Sequence, residues 1–322
     1  VQLPVSRGTP MISPLIKWDH SDDWYVTSYK VQDKITLGER TVEVTLTDED
    51  YEYMAGHVID GQNLLPVTGY LALVWQTVGM MKGKLYTEVS VVFQDVKFLR
   101  ATTLPKEGIV TLTVMVQKGT GRFEVVDDDV AVVTGHVHST SNPVVEKINP
   151  PLPDNNETEM SSRDFYKELR LRGYNYDGSF KGVKSATISG SKGKIVWTNN
   201  WVTFMDNMIQ IQFLGIDSRS LCVPTGIQKL VIDTKAHLNQ IRSMTNNKEF
   251  FVYNMKTYDL IVAGGVEIRG LKASAISRRK RGDDPVLESY KYVAHRDRAK
   301  MSLKEAVHLA THLSLENHLE MK

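Results

Sequence analysis

Residues 55–81 read AGHVIDGQNLLPVTGYLALVWQTVGMM, and the second part of this stretch predicts a buried helix. From about Thr68 onwards, apolar residues recur at the spacing of one helical face and also fill the other faces. The first set is Leu71, Val74, Trp75 and Val78, and the second is Ala72, Leu73 and Met81. A helix that is apolar nearly all round belongs in the middle of a structure. The stretch therefore predicts a central helix that other elements enclose.

Strand-like segments lie on both sides of this helix in the sequence. Before it, Val42, Val44 and Leu46 alternate with polar residues, which is typical of a half-buried strand. After it, four short apolar segments alternate with turns rich in Gly and Asp, at residues 89–98, 108–117, 122–126 and 130–138. Short strands at this spacing favour an antiparallel sheet. A central helix beside an antiparallel sheet indicates an α+β fold.

The same order of elements recurs after a polar boundary. Residues 149–162, NPPLPDNNETEMSS, are rich in Pro, Asn and acidic residues and predict a linker. A helix at 163–171, a strand near 193–197 and a second apolar helix, WVTFMDNMIQIQFLG at 201–215, are predicted beyond it. Further strands are predicted at 220–223, 226–234, 250–254 and 260–269, with a bulge at Gly264-Gly265. We therefore predict two similar halves, although their sequences do not obviously repeat.

These patterns divide the chain into five segments. Residues 1–35 contain three prolines and no clear period, and we interpret them as a linker from an upstream region. The two halves are predicted at 36–148 and 163–295, separated by the linker at 149–162. Residues 296–322 are predicted to be a helix that leads to the next region of a longer protein. Ser302 and Glu305 form an S-x-x-E capping box at its start, and the helical pattern continues to Lys322 without a stop signal.

Composition argues against several classes of protein. The chain is 41% hydrophobic and 24% charged, as in ordinary globular proteins, and its net charge of +1 argues against a nucleic-acid-binding protein. Cys222 is its one cysteine, so an internal disulfide is impossible and a reducing compartment is favoured. No apolar run approaches the roughly 20 residues that cross a bilayer, and the N-terminus lacks a signal-peptide pattern. We predict a cytoplasmic chain that has no nucleic-acid or membrane partner.

His57 is a candidate general base. It precedes the first central helix in the pattern His57-x-x-x-Gly61-x-x-x-x-Pro66. Imidazole has an unperturbed pKa of about 6.5, so it can accept a proton near neutral pH. Gly61 and Pro66 favour a tight turn, and the free N–H groups where the helix begins after Pro66 could polarise a carbonyl oxygen. From the residues alone, a buried histidine that only hydrogen-bonds within a loop is an equal alternative.

Asp206 is a candidate general acid. It lies in the otherwise apolar stretch WVTFMDNMIQIQF, where a carboxylate is costly unless it is paired, exposed or neutralised. Gln210 follows four residues later, on the same helical face, and could hydrogen-bond it. Apolar surroundings would raise the pKa of the carboxyl and suit it to act as an acid. The alternative is an aspartate that caps a helix N-terminus, and the two roles do not exclude each other.

Both patterns resemble motifs of a known enzyme family. His57-x-x-x-Gly61-x-x-x-x-Pro66 looks like the HxxxGxxxxP motif of dehydratase domains in fatty acid and polyketide synthases, and Asp206-x-x-x-Gln210 looks like their DxxxQ/H motif. The flanking stretches are similar to the animal fatty acid synthase over essentially the whole chain. They include LPVSRGTPMISPLIKWDH, DGQNLLPVTGYLALVW, NNWVTFMDNMIQ and VAGGVEIRGL.

One motif departs from the family. Where the family commonly has GYxYGPxF, residues 173–180 read GYNYDGSF, so Asp177-Gly178 replaces the Gly-Pro pair. We expect the missing proline to loosen the loop beside the site, which puts catalytic rate and substrate fit in doubt.

The resemblance implies a double hot-dog fold, in which each half wraps a curved antiparallel sheet around a central helix, with a site between the halves. It implies the dehydration of (3R)-3-hydroxyacyl thioesters on acyl carrier protein to trans-2-enoyl thioesters in fatty acid synthesis, with His57 as base and Asp206 as acid. The residues implied to bind substrate are Gly61, Pro66, Val67, Tyr176 and Gln210. No metal and no cofactor are implied, because the phosphopantetheine arm arrives with the acyl carrier domain. The implied partners are that carrier domain, other synthase domains and a second copy in a full-length homodimer.

Two alternatives stay open. One is a catalytically weak, dehydratase-like module that binds acyl chains or supports the multienzyme; intact His57 and Asp206 favour the active enzyme, and the altered loop at Asp177 keeps this alternative open. The other is a double-bond isomerase that uses the same base. His308 and His312 lie four residues apart on the terminal helix, but no pattern supplies further zinc ligands, so we interpret them as part of a solvated face.

Overall fold

The computed structural model describes residues 38–145, 158–216, 218–244, 248–278 and 301–317. The predicted upstream linker at 1–35, residues 149–157 of the predicted internal linker and the end of the terminal helix pattern lie outside the described residues. The chain separates into two compact units, Val1–Arg279 and Lys280–Lys322. Within the described residues, no helix has both the length and the apolar character needed to cross a membrane.

The larger unit begins with a half built around one long helix. Its elements are β1 (Glu39–Val44), β2 (His57–Ile59), β3 (Gln62–Asn63), α1 (Val67–Met81), β4 (Val91–Phe98), β5 (Val110–Val116), β6 (Arg122–Asp127) and β7 (Val130–Ser139). The predicted central helix and the predicted strands on both sides of it are therefore confirmed.

A second half follows in the same unit. Its elements are β8 (Glu159–Ser161), α2 (Ser162–Arg172), β9 (Tyr174–Tyr176), β10 (Val183–Thr187), β11 (Lys192–Val196), α3 (Trp201–Leu214), β12 (Leu221–Ile232), α4 (Thr234–Ser243), β13 (Glu249–Met255), β14 (Leu260–Ala263) and β15 (Val266–Ile276). β8 lies inside the stretch predicted as a linker, and it pairs with β10 at the sheet edge.

The large sheet repeats one strand order in both halves. Its order is β1-β5-β6-β7-β4-β12-β15-β14-β13-β11-β10-β8, and each pairing within it is antiparallel. Outward from the centre, β4-β7-β6-β5-β1 in the first half corresponds to β12-β15-β14-β13-β11 in the second, and the halves join where β4 pairs with β12. α1 precedes β4 and α3 precedes β12 in the same way. The predicted α+β double hot-dog fold, with two similar halves, is confirmed.

The two long helices form the centre of the core. The four residues of the predicted apolar face of α1 are all buried, and so is nearly every residue of α3. Burial of each large apolar side chain stabilises the fold by about 1.5–3 kcal/mol. Trp75 packs edge-to-face on Trp201 with ring centroids 5.2 Å apart, and the Thr68 hydroxyl donates to the carbonyl of Val202 at 3.0 Å. These contacts hold the helices of the two halves against each other.

Two local predictions about the second half were wrong, and one helix was missed. Gly264-Gly265 is the turn of a hairpin between β14 and β15, not a bulge, and Gly264 has a φ of +58° that glycine adopts readily. The strands predicted at 220–223 and 226–234 are one strand, β12, with a register shift between Pro224 and Gly226. Pro224 cannot donate to the ladder, which explains a shift at that place. Residues after 233 form α4, whose N-terminus is capped by Asp233 through a 3.0 Å bond from the backbone N–H of Ala236.

The smaller unit is described by one helix, α5 (Leu303–Asn317). Its predicted capping box is confirmed. The backbone N–H of Ser302 donates to Glu305 Oε2 at 2.9 Å, and the backbone N–H of Glu305 donates to Ser302 Oγ at 3.3 Å. His308 and His312 are exposed on this helix. Within the described residues, no group of three or more His, Cys, Asp or Glu side chains is placed to hold a metal ion.

Candidate active site

A small second sheet positions His57. Its strand order is β3-β2-β9, and β9 comes from the second half, so this sheet ties the two halves together. His57 pairs with Tyr176 across β2 and β9. Asp60 and Gly61 form the two-residue turn between β2 and β3, both with positive φ, as a tight hairpin requires. Gly61 therefore shapes the strand that carries His57.

The hydrogen bonding of His57 leaves one ring nitrogen free to act as a base. His57 is 5% exposed, and its Nδ1 lies 2.7 Å from the backbone carbonyl oxygen of Leu64. Because a carbonyl oxygen only accepts, Nδ1 carries the hydrogen and donates it. The lone pair then resides on Nε2, which lies 3.7 Å from Asp206 Oδ1. The ring contacts the rings of Tyr176 and Phe180, at centroid distances of 5.5 and 5.1 Å.

Asp206 lies in the interior of α3, which shows that the capping alternative is wrong. The N-cap of α3 is Asn200, whose side-chain oxygen accepts from the backbone N–H of Thr203 at 3.1 Å. Asp206 is 4% exposed, and burial raises the pKa of its carboxyl group. The nearby His57 and a hydrogen bond from Gln210 lower the pKa by smaller amounts. Asp206 therefore keeps its proton to a higher pH than an ordinary aspartate.

His57 and Asp206 face one cavity of about 310 Å³. Its walls come from both halves and are mostly apolar. They are formed by His57, Ile59, Leu64, Leu65, Val67, Tyr70, Phe98, Leu99, Arg100, Ala101, Tyr176, Asp206, Ile209, Phe213, Val223, Pro224, Thr225 and Ile276. A cavity with apolar walls and a few convergent polar groups is the usual form of a small-molecule site. Leu99 and Arg100 are exposed to solvent, so the cavity reaches the surface at that point.

The first turn of α1 presents backbone donors beside this cavity. Pro66 occupies the N-cap position and no side chain caps the helix. The backbone N–H groups of Gly69 and Tyr70 point back to the carbonyl oxygen of Pro66. The N–H groups of Val67 and Thr68 belong to the first turn and have no partner within the helix. Val67 also lines the cavity, so this helix end is suited to bind a carbonyl oxygen.

The remaining predicted site residues take different places. Val67 and Tyr176 line the cavity, whereas Gly61 and Pro66 do not. Gln210 lies behind Asp206, and its Nε2 donates to Asp206 Oδ2 at 2.8 Å. The geometry thus gives Gln210 contact with the acid and not with the cavity. The roles in substrate binding that are predicted for these five residues stay predictions.

Sequence patterns did not identify Tyr166, Phe180 and Asn207, which support Asp206 directly or through Gln210. Gln210 Nε2 also donates to the carbonyl oxygen of Phe180 at 3.0 Å, and the Tyr166 hydroxyl lies 3.2 Å from Gln210 Oε1. Asn207 holds the same loop, because its side chain accepts from the N–H of Gly182 and donates to the carbonyl of Ser179. No sequence signal marks a backbone carbonyl as a partner, although Asn207 stands out as a buried amide beside the acid.

The departure at Asp177-Gly178 forms a defined turn. Gly178 has a φ of +54°, and the N–H of Phe180 donates to the carbonyl of Asp177 at 3.1 Å. The N–H of Asp177 donates to the carbonyl of Gly56 at 2.8 Å, and the Asp177 carboxylate pairs with Lys181 at the surface. The expected loosening of this loop stays a prediction.

Part of the chain is similar to a known protein family. Residues 30–128 match the model described as polyketide synthase dehydratase domain. A highly reducing polyketide synthase of Aspergillus aculeatus is 21% identical in an alignment of 322 positions, which covers 82% of this chain and 13% of that protein. The chain therefore spans a small part of the curated relatives that it matches.

Solved structures share the fold. The dehydratase domain from the CurK module of the curacin polyketide synthase is 21% identical, with a TM-score of 0.58, and the match covers 74% of this chain and 92% of that one. Two further structures of the CurK dehydratase, each 20% identical with a TM-score of 0.57, are described as inactive mutants. The matches cover 74% of this chain in both cases, and 92% and 93% of those chains. A histidine is replaced by phenylalanine in one, and an aspartate by asparagine in the other. At this identity the likeness shows that the double hot-dog fold is shared.

Proposed function

We propose that this chain is a dehydratase that removes water from 3-hydroxyacyl thioesters carried by an acyl carrier domain. The observation that carries the proposal is the pairing of His57 Nε2 and Asp206 Oδ1 at 3.7 Å in one mostly apolar cavity. A base with a free lone pair and an acid that keeps its proton are the two groups that a 1,2-elimination needs. The dehydratase family match, and inactive histidine and aspartate variants of a protein with the same fold, support the proposal.

The elimination would use each group once. His57 Nε2 accepts a proton from C2 of the acyl chain, and the C2 electron pair forms the new double bond to C3. The Asp206 carboxyl donates its proton to the C3 hydroxyl, which leaves as water. The thioester carbonyl oxygen accepts from the N–H at the start of α1, where Val67 lines the cavity, and this contact stabilises negative charge as C2 loses its proton.

The short distance between His57 and Asp206 also suits the return of both groups to their starting protonation states. After the elimination His57 is an imidazolium and Asp206 is a carboxylate, and the two opposite charges stabilise each other in the buried site. Transfer of the proton from Nε2 to Oδ1, directly or through the released water, restores both groups. No external acid or base is needed for the next turnover.

The proposed substrate is an acyl chain carried within a multidomain synthase. The apolar cavity walls favour an acyl chain, and the thioester would arrive on the phosphopantetheine arm of the carrier domain. Resemblance to the animal fatty acid synthase favours an unbranched (3R)-3-hydroxyacyl chain, whereas the curated relatives are highly reducing polyketide synthases. We infer a place beside other synthase domains, and a homodimer in the full-length protein.

A substrate panel tests this function. Purified protein is incubated with (3R)- and (3S)-3-hydroxyacyl pantetheine thioesters of several chain lengths, with and without a methyl branch at C2. We expect trans-2-enoyl thioester from the (3R) series, with the unbranched chains favoured, and Asp206→Asn as the inactive control. A 3-enoyl product would instead indicate an isomerase. Failure of every thioester to react, with acyl carrier protein still bound, would favour the non-catalytic module.

A further inference from the structure

A buried tyrosine lies behind the acid, outside the cavity. Tyr166 is on α2, and its hydroxyl oxygen accepts from the backbone N–H of Val183 at 2.9 Å. The hydroxyl hydrogen then points to the carbonyl oxygen of Phe180 at 3.1 Å or to Gln210 Oε1 at 3.2 Å. Burial raises the pKa of Tyr166, so the phenol stays protonated and acts as a donor. It is not among the residues that line the cavity.

The partners around Gln210 define which way its amide faces. Gln210 Nε2 donates one hydrogen to the carbonyl oxygen of Phe180 at 3.0 Å and the other to Asp206 Oδ2 at 2.8 Å. Because the Phe180 carbonyl oxygen already accepts from Nε2, we assign the Tyr166 hydroxyl hydrogen to Gln210 Oε1, 3.2 Å away. If the amide were reversed, Oε1 would face the Phe180 carbonyl, which cannot donate, and the Tyr166 hydroxyl would lose Oε1 as an acceptor. The donor from Tyr166 thus favours the orientation in which Nε2 reaches Asp206.

This orientation distinguishes the two oxygens of Asp206. Oδ2 accepts from Gln210, so it behaves as the carbonyl-like oxygen of a protonated carboxyl group. Oδ1 is the oxygen near His57 Nε2, and it is left to carry the proton. An acid works only if its proton is within reach of the leaving group. If the Gln210 amide turned over, the proton of Asp206 would move from Oδ1 to Oδ2 while the carboxyl group stayed in place.

We propose that Tyr166 is a positioning residue that, through the Gln210 amide, directs the acidic proton of Asp206 to Oδ1. The inference rests on the proposed dehydration and adds a residue to its machinery. Tyr166 does not touch substrate, so its loss should lower the rate of the chemical step and leave substrate binding nearly unchanged.

Tyr166→Phe removes the donor while it keeps the ring. We expect kcat to fall about tenfold and KM to change less than about twofold, because only transition-state stabilisation is lost. The kcat–pH profile should also move. Gln210 lowers the pKa of Asp206 by its hydrogen bond, so a weakened bond should move the alkaline limb to higher pH. A profile that superimposes on that of the wild type would overturn the proposal.

Tyr174→Phe is the matched control. Tyr174 is also buried, and its hydroxyl bridges two backbone groups, the N–H and the carbonyl of Cys222, without contacting Gln210 or Asp206. Both variants lose one buried hydroxyl and should lose comparable unfolding free energy. The control should keep the wild-type kcat–pH profile. A shift of equal size in both variants would indicate a general structural effect and contradict a specific role for Tyr166.

A double-mutant cycle with Gln210→Met tests whether Tyr166 acts through Gln210. Methionine has a similar length and lacks the amide, so Asp206 loses its donor whether or not Tyr166 is present. If Tyr166 acts through Gln210, Tyr166→Phe should not lower kcat further in the Gln210→Met background. Additive losses would overturn the proposal. If the wild type does not dehydrate any thioester, the proposed function fails first, whereas an active wild type with an unaffected Tyr166→Phe variant refutes only the role of Tyr166.

Discussion

The two central helices occupy equivalent places in the fold and carry different chemistry. Asp206 is the sixth residue of α3 and Gln210 the tenth, and in α1 the same positions hold Ala72 and Gln76. The helix starts differ as well. Asn200 caps α3 with its side chain, whereas Pro66 leaves the first turn of α1 without a side-chain cap. One helix therefore contributes a buried acid from its middle, and the other contributes free backbone donors from its end.

A second cavity lies between the middle of α1 and the start of α3, whereas the cavity at His57 lies between the start of α1 and the middle of α3. It has a volume of about 620 Å³ and is lined by Ala72 and Gln76 of α1 and by residues 199–202 at the start of α3. The two helices thus exchange roles relative to the cavity that contains His57. No histidine is among the described residues that line it, and the acid position is alanine. Gln76 Oε1 there accepts from Arg40 at 3.0 Å, where its counterpart Gln210 accepts from Tyr166. The two halves therefore share their packing but place different side chains around their cavities.

Moving the acid from one helix to the other should have the largest effect. Asp206→Ala should lower the dehydration rate by about 10²–10⁴-fold, the usual contribution of a general acid. Ala72→Asp in the same protein should not restore activity, because the second cavity lacks the base. Stopped-flow enoyl absorbance measures both. Ala72→Asn controls for side-chain size, and recovery of rate in the Asp206→Ala/Ala72→Asp variant would show that the halves are interchangeable.

The turn that follows the small sheet should be the next most sensitive feature. Gly178→Pro restores the proline of the family motif, but proline fixes φ near −65° while Gly178 has a φ of +54°. We expect a loss of about 3 kcal/mol of unfolding free energy in urea denaturation, comparable with a proline in a helix interior. Gly178→Ala should lose about 1–2 kcal/mol, the cost of a left-handed conformation. A proline variant as stable as the wild type would mean that the turn adopts the family conformation.

Giving α1 the kind of cap that α3 has should impair catalysis. In Pro66→Asn the side chain can accept from an N–H of the first turn, in competition with a thioester oxygen. We expect kcat/KM to fall by about tenfold to a hundredfold, near the effect of losing one oxyanion donor. Pro66→Ala removes the proline without adding an acceptor and should keep most of the activity. Equal losses in both variants would assign the effect to the proline and not to the donors.

An ionisable group on α4 predicts that the stability of the fold depends on pH. His237 is buried among Trp197, Trp201, Phe204 and Phe250, and burial lowers its pKa to about 4. Its folded pKa is below the unfolded value of about 6.5, so the unfolded chain binds more protons between these values. Stability should fall as the pH falls from about 6.5 towards 4.

The variant His237→Leu tests this dependence. It should flatten the decline in unfolding free energy across that window, and denaturation at several pH values measures it. His136→Gln changes an exposed histidine on β7 and should leave the decline unchanged. An unaltered decline in His237→Leu would contradict the assignment.

The smallest expected effect is at the cap of α3. Asn200→Ala removes the acceptor for Thr203 and should cost about 1 kcal/mol of unfolding free energy. Activity per folded molecule should stay at the wild-type level, because this helix end does not face His57. A large loss of activity with unchanged stability would show that the second cavity takes part in function.

The sequence was sufficient for features that depend on local patterns. The all-round apolar character of α1 and α3 identified the core. Each of His57 and Asp206 could be picked out as a candidate from its surroundings, but only the family resemblance implied that the two meet in one site. Other features depend on tertiary contacts. Asp206 could not be separated from a capping aspartate until Asn200 was seen to cap α3, and Tyr166 acts beside a backbone carbonyl that leaves no trace in the sequence. α4 was missed because its exposed face is polar and only Thr234 and His237 are buried.

The most direct test of the account compares His57→Ala, Asp206→Asn and the double variant with the wild type on one (3R)-3-hydroxyacyl thioester. If a base from the first half and an acid from the second act in one elimination, each single variant should lose at least about a hundredfold in kcat. The double variant should then be little slower than the poorer single variant, because residues that act as a unit are not additive. A wild type that forms no enoyl thioester, or a single variant that keeps the full rate, would contradict it.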